Sequence, residues 1–181
     1  MKLEGSCHCG AVRFHVESEH PYSYNVCYCS VCRKTGGGGG YAINLLADFS
    51  TLRVDMKVAL GVYRARLTES ASEADRSPAQ RSFCTQCASA LWVWDPRWPE
   101  LVHPFASAID TELPVPPERT HLMLGSKASW VPVTRREHDL EFGGLSGGVH
   151  RAVALASRPR LIRETSKVTK LSAPDRCLER A

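Results

Sequence analysis

Alternation of apolar and polar residues predicts most of the elements in this chain. From Val12 to Glu17, apolar Val12, Phe14 and Val16 alternate with polar Arg13, His15 and Glu17. Period two over that length marks a half-buried strand. Tyr41-Ala-Ile-Asn-Leu-Leu46 predicts another. Residues 51–67 predict two strands about Asp55-Met-Lys57, with Val58, Leu60, Val62 and Tyr63 as their apolar weight. The small, polar residues of 68–80 predict an exposed hairpin loop. Residues 81–95 then place Leu91 and Val93 on one face of a strand and Trp92 and Trp94 on the other. Pro96, Pro99 and Pro104 break up the next stretch, 105–117 is a Pro-rich loop, and 121–133 predicts a last strand and a turn. Long helical periodicity and internal repeats are both absent, so the predicted class is mainly β.

The pattern weakens beyond about residue 143. Gly143-Gly-Leu-Ser-Gly-Gly148 predicts a flexible joint, and Pro159 interrupts a short helical pattern at 150–165. The expected division is one domain over 1–142 and a Gly-linked basic C-terminal extension over 143–181, partly disordered or a short helix. Charge sharpens this division. Residues 151–181 hold eight Lys and Arg against three Asp and Glu, whereas residues 1–150 hold 15 against 16. The basicity belongs to the tail, which argues against a nucleic-acid-binding face on the body. No apolar run approaches the roughly 18 residues of a membrane span. Met1-Lys-Leu-Glu-Gly-Ser-Cys7 has no secretory h-region. A cytoplasmic location is therefore expected, where thiols stay reduced and clustered cysteines favour metal over disulfides.

Seven of the eight cysteines fall into three groups: Cys7 and Cys9, then Cys27, Cys29 and Cys32, then Cys84 and Cys87. Clustered thiolates suit zinc, and a zinc site closed by protein alone needs four of them. The simplest partition puts Cys7, Cys9, Cys84 and Cys87 in one closed site. It puts Cys27, Cys29 and Cys32 in a second site whose fourth corner is open to water or substrate. The alternative is a single closed site drawing on the triplet, with the other cysteines buried and unligated. Cys177 is left over as a free thiol. The run Gly36 to Gly40 after the triplet either lets backbone approach a metal or ligand or makes a flexible loop.

Three blocks carry a family likeness: Gly-Ser-Cys7-His-Cys9-Gly-Ala-Val-Arg-Phe, Cys27-Tyr-Cys29-Ser-Val-Cys32-Arg-Lys-Thr-Gly, and Phe-Cys84-Thr-Gln-Cys87-Ala-Ser-Ala-Leu. In order, spacing and flanking residues they resemble the signature blocks of the glutathione-dependent formaldehyde-activating enzymes, a family that includes centromere protein V. The resemblance covers roughly residues 3–133. It implies a β-tent fold of small antiparallel sheets stapled by zinc, with two zinc ions per chain. It further implies structural zinc on Cys7, Cys9, Cys84 and Cys87, and catalytic zinc on Cys27, Cys29 and Cys32. The implied activity is that of a carbon–sulfur lyase, an S-(hydroxymethyl)glutathione synthase, with glutathione and formaldehyde as partners. One departure stands out: the family usually has Cys-Gly at the last knuckle, where this chain has Ala88 after Cys87. A left-handed backbone there would cost alanine about 1 kcal/mol.

Other polar and aromatic residues are weaker candidates. Arg33 and Lys34 either offset the thiolate charge or lie in solvent. Trp92, Trp94 and Trp98 either wall a pocket or pack the core, with core packing expected for at least two. Asp110 either touches substrate or caps a turn, and His8, between two ligands, is expected to face away from the ion. Two readings of function compete: a zinc-dependent lyase or synthase acting on a small thiol adduct of an aldehyde, and a non-catalytic, zinc-stabilised binding module.

Overall fold

A computed structural model of the chain describes residues 1–22, 24–36, 38–66 and 75–145. Among the described residues, three small sheets, one short α-helix and a few 3-10 turns make up the fold. Sheet one has the order β1 (Lys2–Ser6), β2 (Val12–Glu17), β6 (Arg53–Lys57); sheet two the order β5 (Ala47–Asp48), β10 (Leu101–Pro104), β9 (Ala90–Trp94), β8 (Gln80–Cys84), β7 (Leu60–Tyr63); and sheet three the order β12 (Leu140–Glu141), β11 (Arg119–Leu122), β3 (Tyr24–Cys27), β4 (Ala42–Asn44).

Sheet one is built around the alternating stretch of residues 12–17. β2 (Val12–Glu17) buries Val12, Phe14 and Val16 and leaves the polar residues outward. It pairs antiparallel with β1 (Lys2–Ser6) and with β6 (Arg53–Lys57). β1 has a weak sequence signal because Leu3 is its one large apolar residue. The other inward position is Gly5, where a Cβ would lie 2.4 Å from the Phe14 ring. The phenyl ring occupies the space a side chain would take, and Phe14 in turn meets Trp92 edge-on at 4.9 Å.

The strands expected about Asp55-Met-Lys57 do not make a hairpin there. β6 runs through these residues, and the turn falls at Val58-Ala59. β7 (Leu60–Tyr63) then joins sheet two, pairing with β8 (Gln80–Cys84). The reason is tertiary: Thr85 donates to the Ala59 carbonyl through both its N–H (2.8 Å) and its hydroxyl (3.1 Å). Most of the polar loop expected at 68–80 lies outside the described residues.

Sheet two is antiparallel throughout and centres on β9 (Ala90–Trp94). Leu91, Trp92 and Val93 are all buried, so both faces of this strand are covered. Leu91 and Trp92 join the main core, while Val93 packs in a smaller cluster with Cys27, Cys32 and Phe105. β10 (Leu101–Pro104) pairs with β9 and with β5 (Ala47–Asp48). The strand expected over 41–46 shortens to β4 (Ala42–Asn44). At Leu45 the chain leaves sheet three, its N–H bonding the Pro104 carbonyl of sheet two at 2.8 Å.

In sheet three, β3 (Tyr24–Cys27) pairs antiparallel with β4 and parallel with β11 (Arg119–Leu122). β12 (Leu140–Glu141), which the sequence pattern did not announce, runs parallel to β11. Asp139 positions it. Its buried carboxylate accepts from the Arg119 guanidinium at 2.6 Å and from the backbone N–H groups of Arg119 and Arg136, and pairs with His121 at 3.0 Å. His121 in turn bonds the Tyr28 hydroxyl at 2.9 Å, tying this segment to the chain between Cys27 and Cys29. Burial pushes the Asp139 carboxyl up, but the hydrogen bonds from Arg119 and His121 prevail and hold it well below the usual carboxylate range.

The helix α1 (Ser30–Gly36) follows β3 directly. Two glycines of the run that begins at its end are fixed by packing. A Cβ on Gly36 would meet the Ala42 side chain at 3.0 Å, and one on Gly40, at φ +80°, would lie 2.2 Å from Val131. Gly40 is required by the side chain beside it and by its left-handed backbone.

Candidate metal centres and the adjoining cavity

The first sulfur cluster joins two tight turns. Cys7 ends its turn with the Gly10 N–H on its carbonyl (2.9 Å) and the Val12 N–H on its own sulfur (3.2 Å). Gly10 has φ +75°, so the chain reverses at once into β2. Cys84 ends β8 and accepts the Ala88 N–H on its carbonyl at 2.8 Å. Ala88 has φ 60°, the left-handed conformation anticipated where the family has glycine. Ser89 bridges the two turns, its hydroxyl accepting the His8 N–H at 3.1 Å and lying 3.2 Å from the Cys87 sulfur. Hydrogen bonds from the Ser89 hydroxyl and then its backbone N–H hold the Cys87 thiol down to about 5. The sulfurs of Cys7, Cys9, Cys84 and Cys87 all lie within 4.8 Å of one another.

The second cluster straddles the β3–α1 junction. Cys27 ends the strand, Cys29 precedes the helix, and Cys32 sits one turn in, its N–H donating to the Cys29 sulfur at 3.3 Å. The three sulfurs also lie within 4.8 Å of one another, and no fourth ligand completes the group among the described residues. Hydrogen bonds shared with Cys29, then with Cys32, and burial push the Cys27 thiol up. The hydrogen bonds from Cys27 and Cys32 push the Cys29 thiol down, and Arg81 adds to that effect. Both clusters could hold a metal ion. The partition reached from spacing is the one the fold brings together, and Cys177 lies outside the described residues.

Arg81 is a candidate site residue that sequence reasoning missed. It lies on β8, opposite Val93, and points its Nη2 at the Cys32 sulfur at 3.6 Å. Cys32 and Arg81 line a cavity of about 330 Å³ with Asn25, His103 and Trp98. A second cavity of about 360 Å³, lined by Lys34, Tyr63, Phe83 and Phe105, also borders Arg81. His103 bonds the Leu45 carbonyl through Nδ1 at 3.1 Å, and burial pushes its pKa down. The ring is then neutral with its proton on Nδ1, leaving Nε2 as an acceptor. No local motif announces these residues, because they come from β3, β8 and β10.

The other candidates resolve individually. Trp92 is buried core, Trp94 packs against that core and stacks on Phe49, and Trp98 lines the first cavity. Arg81 has the sulfur contact first weighed for Arg33 and Lys34. Asp110 lies elsewhere, in a polar groove beside Glu4, Arg13 and His15 of sheet one. His8 is exposed and stands apart from the four clustered sulfurs.

Fold and site together define a small, mainly β protein with one four-thiol cluster and one three-thiol cluster beside a cavity. The chain belongs to the glutathione-dependent formaldehyde-activating enzyme family, whose sequence profile matches residues 2–124. It is 61% identical over 144 residues to a Halomonas elongata protein provisionally named a glutathione-dependent formaldehyde-activating enzyme; that match spans 80% of this chain and 88% of the relative. A solved structure of a Rhodobacter sphaeroides protein is similar with a TM-score of 0.48 and 28% identity, covering 63% of this chain and 92% of that one. No helix among the described residues is long and apolar enough to cross a membrane.

Proposed function

We propose that the protein is a zinc-dependent carbon–sulfur lyase or synthase that joins and parts a small thiol and an aldehyde, with glutathione and formaldehyde the first pair to test. One observation carries this reading: the three sulfurs of Cys27, Cys29 and Cys32 lack a fourth ligand among the described residues, and Cys32 lines a cavity. The donor sets fit zinc. Tetrahedral zinc with bonds of ~2.3 Å to sulfur requires sulfurs about 3.8 Å apart. Cys9 lies 3.7 Å from Cys84 and 3.5 Å from Cys7. Cys7, Cys9, Cys84 and Cys87 would hold a structural ion, and Cys27, Cys29 and Cys32 a catalytic one.

Bound zinc would keep the thiolates ionised and supply a Lewis-acidic position for a thiol sulfur or a carbonyl oxygen. The chain's own residues supply the rest. Arg81 brings a positive charge to the sulfurs and to both cavities. His103, neutral with its proton on Nδ1, can accept a proton at Nε2. Cavity walls such as Val93 and Trp98 hold the two reactants together, and thiol addition needs little beyond that proximity. The sulfur attacks the carbonyl carbon, a C–S bond forms, and the C=O π pair moves to oxygen. The proton lost by the thiol ends on that oxygen; the reverse reaction breaks the same bond.

Exchange NMR on glutathione and formaldehyde, with the uncatalysed rate subtracted, tests this reading. The zinc-loaded protein should exceed background, at a rate that rises with pH until the substrate thiol is ionised. Cys27→Ser, Cys29→Ser and Cys32→Ser should each abolish the excess, and Cys177→Ser should not. Background rates with every thiol adduct tried, together with tight binding of one, would instead establish a binding module.

A further inference from the structure

We infer that Asn25 and Arg81 recognise the hydroxyl group of the thiol adduct, making the site selective for hemithioacetals (S–C–OH) over plain thioethers. This rests on the proposed function and specifies its substrate class. Among the described residues, three buried side-chain atoms have no hydrogen-bond partner: Asn25 Oδ1, Arg33 Nε and Arg81 Nη1. Asn25 and Arg81 carry the inference. Both residues line the cavity that also contains Cys32. The Asn25 residue is only 6% exposed, and the strand that carries it is paired on both sides, with β4 and with β11. Arg81 is fixed by β8 and by the contact of its Nη2 with the Cys32 sulfur.

Native folds satisfy nearly all buried polar groups, so one orphaned acceptor and one orphaned donor on two residues that line the same cavity point to a ligand. That ligand must bring a donor for Asn25 and an acceptor for Arg81. An S-alkyl thioether carbon offers neither, and an aldehyde oxygen offers only an acceptor. The hydroxyl of a hemithioacetal both donates and accepts. Arg81 is also suited to the step before it. As the C–S bond forms, the carbonyl oxygen gains the π pair, and a cationic N–H donor beside the sulfurs stabilises that charge.

The test compares two ligands that differ in the hydroxyl alone. Titration calorimetry on the full-length, metal-loaded protein would use S-methylglutathione and the hydroxymethyl adduct pre-equilibrated from glutathione and formaldehyde. The unaltered protein should prefer the adduct by at least ~10-fold, because a site built to bond a hydroxyl rejects the analogue lacking it. Asn25→Leu should reduce the preference to about 2-fold or less while zinc content is kept and the melting temperature does not fall, since the change removes an unsatisfied buried acceptor. Arg81→Gln should reduce it likewise, and Arg81→Lys should restore part of it. The inference is overturned if the preference survives in both Asn25→Leu and Arg81→Gln. It is also overturned if only Arg81→Gln loses it, together with zinc, since Arg81 then merely balances thiolate charge. A protein that binds neither ligand and gives no rate above background would overturn the proposed function as well, whereas turnover with no hydroxyl preference would overturn this inference alone.

Discussion

The two sulfur clusters should respond differently when each loses one thiol. Cys84 is fully buried, and its cluster clips the β1–β2 turn to the β8–β9 turn. Cys9 and Cys84 lie 75 residues apart in sequence. Closing a loop of that length removes about 4 kcal/mol of chain entropy from the unfolded state. A structural zinc site adds binding free energy on the order of 10 kcal/mol that is also folding free energy. Set against a typical total of ~5–15 kcal/mol, Cys84→Ser should leave little folded protein at 37 °C. Cys32→Ser keeps the shape of a side chain that is 2% exposed and leaves the strand pairing intact. It removes the sulfur partner of Arg81 and one metal ligand, a loss of about 1–2 kcal/mol. At ~2–4 °C per kcal/mol for a fold of this size, its melting point should fall by no more than ~8 °C. Metal analysis should give two zinc ions for the unaltered protein and about one for Cys32→Ser. Calorimetric melting with metal analysis on the same samples decides the matter. Indistinguishable melting curves for the two variants would refute the assignment of structural and catalytic roles.

Two further outcomes concern single residues. Ala88→Gly should raise stability by about 1 kcal/mol and the melting point by ~2–4 °C, because φ 60° strains alanine but not glycine; a fall would mean that the Ala88 methyl contributes packing that outweighs the strain. Asp139→Asn should cost about 3–5 kcal/mol near neutral pH, measured by urea unfolding, since it breaks a buried ion pair. The Asp139 pKa is depressed in the folded state, so its contribution is complete above the unfolded value of ~3.9 and is lost as pH falls through the folded value. The variant should therefore lose less stability than the unaltered protein between about pH 5 and pH 2, and parallel acid profiles would contradict this.

Local features were legible in the sequence. Two or three cysteines within six residues converge because a tight turn permits little else, so the three cysteine groups could be read from spacing. β2 could be read because Phe14 and its neighbours alternate over one sheet face. The family blocks added the left-handed turn at Ala88, which the backbone adopts. Tertiary structure decided everything that depends on which strands meet. Strand β1 has no pattern of its own because Gly5 leaves its inward space to Phe14. The turn between β6 and β7 falls at Val58-Ala59, and the strands part to different sheets, because Thr85, just past β8, donates to the Ala59 carbonyl. The glycine run is set in part by Val131, more than 90 residues further along. The same rule governs the chemistry. Cysteine spacing is encoded in the covalent chain, but Asn25, Arg81 and His103 surround one cavity only because β3, β8 and β10 are assembled around it. No short-range signal can carry an arrangement created by pairing between distant strands.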